Sequence, residues 1–223
     1  MLRKVKIKDS VILFIGILLI ISGILVLSSE YLKSKKNKAF SDMNLKLYEN
    51  EQPKNIKDDE EIKNNDNSDL NNDENPPKDN SIKTEPTYNY KGILEIPKIN
   101  VRRGFLDVKS KYNNVDYNVT VIKGSTMPDE DNNNLILASH SGYCSVCYFH
   151  DLYKIELNDI AIIYYKGYKY TYKVVNIYEV LKTGQVSIYR NYNKNTLTLI
   201  TCTRNSDTKQ TVYILELDKK EKN

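Results

Sequence analysis

Both histidines of the chain and two of its three cysteines fall in one stretch, ASHSGYCSVCYFHDL at 138–152, with the spacing His140-x3-Cys144-x2-Cys147-x2-His150. Two Cys and two His make a tetrahedral zinc set, and Cys-x2-Cys is a common half-site. Such sites usually separate the two ligand pairs by a dozen or more residues, so that two elements can face each other across the ion. Here all four residues lie within 11 positions. A short, redox-labile disulfide between Cys144 and Cys147 competes with metal binding, as does a pair of inert thiols. A thioredoxin-like role would need a βαβ context, which this stretch lacks. The spacing argues against a metal, and no cofactor is expected. A metal or redox module at 140–150 stays as an alternative.

The third cysteine permits other chemistry. Cysteine attacks as a thiolate, which a nearby imidazolium favours, and the same imidazole can then protonate a leaving amine. His140 ends the apolar run LILAS and Cys202 ends the run NTLTLITC. Two strand ends on one rim could hold these side chains together beside an open cleft. A developing oxyanion would need a donor as well, from backbone N–H groups or an arginine. The odd cysteine count means that one thiol is left over from any pairing within the chain, which in an exported protein points to a reactive or intermolecular role.

The elements that must position these residues are short and β-rich. GILEIPKINV at 92–101 alternates and is broken by Pro97, as suits an edge strand or a bend. NVTVIKG follows, then the loop MPDEDNNN. YFHDLYKI has room for a helical turn or two. In DIAIIYYKGYKYTYKVVNIYEV two β-rich runs flank Lys166-Gly167, with Tyr168, Tyr170, Tyr172 and Val174 on one face, which predicts a hairpin. NTLTLITC and TVYILEL are further strands around the polar loop TRNSDTKQ. The class is all-β, a barrel or sandwich. The alternating tyrosines read as β propensity and packing rather than as a carbohydrate platform.

The sequence TLITCTR at 198–204 resembles the signature of the sortases, cysteine transpeptidases of Gram-positive cell surfaces, in which Thr-Leu-x-Thr-Cys ends a strand on the nucleophile. ILEIPKINV is similar to their early strand, NLILASHSG to the strand ending on the catalytic histidine, and LYKIELNDIAIIYYKGYKYTYKV to the turn and hairpin that follow. The resemblance runs from about 90 to 218, with the parts in the same order. It implies a closed β-barrel with short helical turns, with Cys202 as nucleophile and His140 as general acid and base. It also implies an Arg at the start of the strand after the cysteine, and here the chain departs. Thr211 stands at that position with Gln210 beside it, and the nearby arginine is Arg204 in the preceding loop. These three are the candidates for positioning substrate and stabilising the oxyanion. The implied reaction is cleavage of an LPXTG-like sorting signal on a surface protein, followed by transfer to an amine of a peptidoglycan precursor or a pilin lysine. Some family members bind calcium, but the acidic PDEDNNN loop reads as solvated, and no metal is required.

Ahead of this domain, residues 11–27 carry no charge and only Ser22 as a polar side chain, just long enough for a helix to cross a hydrocarbon core. The flank LSSEYLKSKK offers only Ser28 and Ser29 as small residues for a cleavage site, so an uncleaved anchor is expected. Lysines and arginine flank the segment almost evenly. The long polar region that follows decides the orientation, because long domains translocate largely regardless of charge. The expectation is a cytoplasmic 1–10, a transmembrane anchor at 11–27, a flexible polar tether at 28–86 and an extracellular catalytic domain at 87–219. Residues 41–85 hold 13 Asp or Glu, 6 Lys and 10 Asn, a composition that buries too little surface to fold alone. The domain carries 17 Lys or Arg against 13 Asp or Glu with no basic stripe, which gives nucleic-acid binding little support. A tethered extracellular β-sandwich for adhesion or structure is the alternative from another class.

Overall fold

Residues 9–51 and 88–223 are described by the structure, a computed structural model. The strands are β1 (Gly92–Ile96), β2 (Val101–Phe105), β3 (Thr120–Val121), β4 (Asn134–Ala138), β5 (Ile160–Tyr165), β6 (Tyr168–Leu181), β7 (Thr196–Cys202) and β8 (Lys209–Lys222). They form one eight-stranded sheet in the order β2-β1-β5-β6-β8-β7-β4-β3. A bridge between Phe105 and Val119 brings the two ends of this sheet together, so the barrel is nearly closed. A single curled sheet, rather than two stacked ones, excludes the sandwich alternative. Register shifts between β6 and β8, at Thr171/Tyr172 and Val174/Asn176, bend these two long strands.

Alternation along the strands decides what faces inward. Leu94, Leu137, Ile163, Tyr172, Leu199 and Leu215 are buried in the barrel interior. The opposite face of β4, β7 and β8 carries a second apolar layer of Ile136, Ile200, Val212 and Ile214, and Val186 and Ile188 of the β6–β7 loop pack on it. Arg190 fastens that loop, donating from Nη2 to the Asn132 carbonyl at 3.2 Å and from Nη1 to the Asn133 carbonyl at 3.3 Å. The hairpin expected at Lys166-Gly167 is present. Both turn residues take positive φ, 48° and 74°, as a two-residue turn matched to strand twist requires. At Pro97 the stretch 92–101 divides: a 3-10 turn over Pro97–Ile99 joins β1 to β2, and Asn100 adopts a left-handed conformation at its end. The helical content expected in YFHDLYKI reduces to one 3-10 turn, Leu152–Lys154.

Helix α1 (Asp9–Glu51) is, among the described residues, one long and apolar enough to cross a membrane. It also corrects an expectation. A flexible tether was expected from residue 28, but the helix continues to Glu51 and its last turns dock on the barrel. Ser41, Asn44 and Leu45 are buried and Tyr48 packs beside them, at the spacing of one helical face. Composition hid this face because two of its buried residues are polar and are satisfied by specific partners. Asn44 accepts the Tyr88 amide at 2.8 Å, and Tyr90 Oη donates to Asn118 Oδ1 at 2.9 Å while lying 3.1 Å from Ser41 Oγ. Arg103 pairs with Asp42, and Arg102 bridges Glu49 and Glu95. The remainder of the expected tether, 52–86, and residues 1–8 of the expected cytoplasmic segment lie outside the described residues. At the other end, β8 runs three residues past the expected boundary at 219.

Asn44→Ala would strand the Tyr88 amide in a buried site, at a cost of about 1–3 kcal/mol. Hydrogen exchange should show faster exchange at 40–49 and at Tyr88, with β7 and β4 unchanged.

Candidate active site

The site is built by parallel strands β4 and β7, in register from Asn134↔Thr196 to Ala138↔Ile200. Parallel partners run toward the same rim. His140 lies two residues beyond Ala138 and Cys202 two beyond Ile200, so both continue the outer face of their strands at equivalent positions. The pairing is carried past Ala138 by the Ser139 amide to the Ile200 carbonyl at 3.4 Å, and by Thr201 Oγ1 donating to the Ser139 carbonyl at 2.8 Å. The two side chains line one open cleft of about 580 Å³. Cys202 is a free, partly exposed thiol. It makes no hydrogen bond with His140, whose Nε2 is instead 3.4 Å from Asp116 Oδ1.

The loop after His140 resolves the four-residue cluster. Cys144 and Cys147 are joined by a disulfide, so neither sulfur is available as a thiolate ligand. Among the described residues no group of three or more His, Cys, Asp or Glu is placed to hold a metal. The disulfide ties exposed Cys144 to a residue flanked by the buried Val146 and Tyr148. Phe149, fully buried, donates its amide to the His140 carbonyl at 3.1 Å. His150 Nδ1 lies 3.2 Å from the Ser141 carbonyl, and its ring packs on Tyr143 at 4.3 Å between centroids. These contacts fix the backbone on which His140 sits. Beside them, the hydrogen bond from Lys154 holds the Asp151 carboxyl below the usual carboxylate range against a smaller opposing effect of burial, with added help from the charges of Lys154, His150 and Arg204.

The three oxyanion candidates separate by position. Gln210 is paired directly opposite Cys202 across β7 and β8, on the same face of the sheet. Thr211 is paired with Thr201 on the other face, and its Oγ1 is 2.9 Å from Thr203 Oγ1. Arg204 lines the cleft, with its guanidinium 4.2 Å from the centre of the Tyr153 ring. Lys182 lines the cleft too and was not singled out from sequence. The hydrogen bond from its amide to the Thr208 carbonyl, 2.8 Å, holds it beside the β7–β8 loop. Asp116 was also missed, since a lone Asp in a polar loop carries no local signal.

A family match, Sortase domain, covers residues 94–217. The chain belongs to the sortase family, whose members are cysteine transpeptidases. Among solved structures it is similar to sortase C1 of Streptococcus agalactiae, with 25% identity and a TM-score of 0.52 over 63% of this chain and 73% of that one. Sortase A of Listeria monocytogenes aligns at 24% identity and a TM-score of 0.51, covering 60% of this chain and 90% of that one. Sortase A of Corynebacterium diphtheriae aligns at 20% identity and 0.53, covering 59% and 62%. The last two show the fold alone. No curated protein matches the chain.

Because Thr201 ties the two strand ends together, Thr201→Val should lower stability by about 1–3 kcal/mol through the unpaired Ser139 carbonyl. A thermal melt should fall by several degrees, and Thr201→Ser should restore it.

Proposed function

We propose that the chain is a membrane-anchored transpeptidase that cleaves an LPXTG-like sorting signal at the C-terminus of surface proteins. It would transfer the acyl group to an amine of a peptidoglycan precursor or a pilin lysine. The observation that carries this reading is the placement of Cys202 and His140 at equivalent ends of adjacent parallel strands, facing one cleft. Membership of the sortase family and the apolar helix α1 agree with it. In this reading α1 spans the cell membrane once and the barrel is extracellular.

In the first half-reaction Cys202 Sγ attacks the Thr carbonyl carbon of the Thr–Gly bond. The carbonyl electrons move onto oxygen, and collapse of the tetrahedral intermediate breaks the C–N bond as His140 gives its proton to the departing amine. A thioester on Cys202 remains. In the second, an amine attacks that thioester, loses a proton to the imidazole and expels the thiolate. Cys202 makes no bond with His140 in the free protein, a looseness common before substrate binds.

The oxyanion needs a donor on the Cys202 side of the sheet. Gln210 meets this condition by register, and its side-chain N–H would act as a neutral donor where an arginine would bring charge. Arg204, stacked on Tyr153, would contact the substrate peptide from the cleft wall. Thr211, on the opposite face and paired to Thr203, serves the β7–β8 junction.

A fluorogenic LPXTG-type peptide tests this reading. Cys202→Ala and His140→Ala should each abolish cleavage. Gln210→Ala should lower kcat about 10²-fold, Arg204→Ala should chiefly raise KM, and Thr211→Val should change kcat little. Undiminished cleavage by Cys202→Ala contradicts the mechanism, and a larger kcat loss at Arg204 than at Gln210 reassigns the donor.

A further inference from the structure

A second open cleft, about 650 Å³, adjoins the first. Its near wall is the loop after His140, and Gly142, Tyr143 and His150 line both clefts. Its far wall is helix α1, which contributes Tyr31, Lys35 and Lys38. Tyr143 stands between the two with its side chain almost fully exposed, at 87%. The two clefts thus meet at these shared residues, one reaching to Cys202 and the other to the helix.

The lining of the two clefts is mostly basic. Lys35, Lys38, Lys182 and Arg204 contribute to it, against the carboxylate of Asp207, while from outside the lining Asp116 touches His140 and Asp151, 3.8 Å from His150, offsets part of the Arg204 charge. Lys35 is held over the Tyr31 ring at 5.4 Å, and among the described residues neither Lys35 nor Lys38 has a carboxylate partner. Cations collected in a cleft and left unpaired attract anionic ligands and raise their local concentration. Lys35 and Lys38 also lie 8 and 11 residues past Leu27, about 12 to 17 Å along the helix from the end of the apolar run. That height is close above a lipid headgroup layer.

We infer that the cleft between α1 and the 142–150 loop is the subsite for the second substrate, and that it selects an amine acceptor bearing phosphate or carboxylate groups near its amine. The inference rests on the transpeptidase reading and adds to it the charge class of the acceptor and the residues that choose it. The anion is held by Lys35 and Lys38, and the amine reaches along Tyr143 toward the thioester on Cys202. Lys35 and Lys38 are binding residues here and take no part in proton transfer.

The test uses the full chain in detergent micelles, a sorting-signal peptide, and two matched pairs of amines: phosphoethanolamine against ethanolamine, and triglycine against triglycinamide. Transfer product is quantified against hydrolysis product as a function of amine concentration. The anionic member of at least one pair should half-saturate transfer at about three- to tenfold lower concentration, as expected for two solvent-exposed ion pairs. This preference should shrink at high salt, disappear in the Lys35→Gln/Lys38→Gln double variant and persist in the Lys35→Arg/Lys38→Arg one. Preference confined to phosphoethanolamine assigns a phosphate-bearing acceptor, and preference confined to triglycine a carboxylate-bearing one. No preference in either pair, or a preference that survives the glutamine variant, overturns the subsite while leaving the cysteine mechanism standing. Peptide cleavage that never yields transfer to any of the four amines contradicts the transpeptidase reading, and the subsite with it.

Discussion

The parallel pairing of β4 with β7 is the constraint on which the site depends. Strands that run the same way end on the same rim, and a register of Ala138 against Ile200 leaves His140 and Cys202 level with each other. A slip of one residue would turn one of the two side chains to the barrel interior, because the side-chain period of a strand is two. The register is itself specified by burial. Leu135 and Leu137 of β4 and Leu197 and Leu199 of β7 fill the interior, while Ile136 and Ile200 fill the outer layer. Asn134 Oδ1 fixes the far end by accepting from Thr196 and Thr198, at 3.1 and 2.8 Å. Core packing and site geometry are therefore one requirement met by the same residues.

Around this pair the remaining parts act as supports. The disulfide and the Phe149–His140 hydrogen bond hold the loop that carries His140. The β8 strand sets Gln210 opposite Cys202, and Arg190 clamps the β6–β7 loop over the outer apolar layer. Helix α1 joins the barrel through buried polar contacts as well as through Leu45, so its orientation is fixed by directional bonds rather than by apolar area alone. A helix docked in this way sets the height and facing of the cleft relative to whatever holds the apolar run, which a freely jointed tether would leave undetermined.

Much of this was legible in the sequence for physical reasons. β4 and β7 are apolar runs that end abruptly on a His and a Cys, and the Lys166-Gly167 turn sits between β-rich segments. TLITCTR carries a family resemblance that periodicity alone would not have supplied. The illegible parts share a cause. The stripe of Ser41, Asn44 and Tyr48 docks through specific partners distant in sequence, and hydropathy averages it into the polar segment that follows. The contribution of Lys182 and Asp116 to the site depends on loops folding back beside Cys202 and His140, which no local spacing records. The residue types of His140, Cys144, Cys147 and His150 match a shared-ion set that their short spacing argues against, and its members divide between the cleft and the loop that supports it.

Intact-protein mass spectrometry after brief mixing with an LPXTG-type peptide addresses the central claim most directly. The account predicts a covalent adduct with the mass of the peptide's N-terminal acyl fragment, located on Cys202, present in the wild type and absent in Cys202→Ala. Peptide turnover by the wild type with no adduct, or an adduct that survives Cys202→Ala, would contradict it.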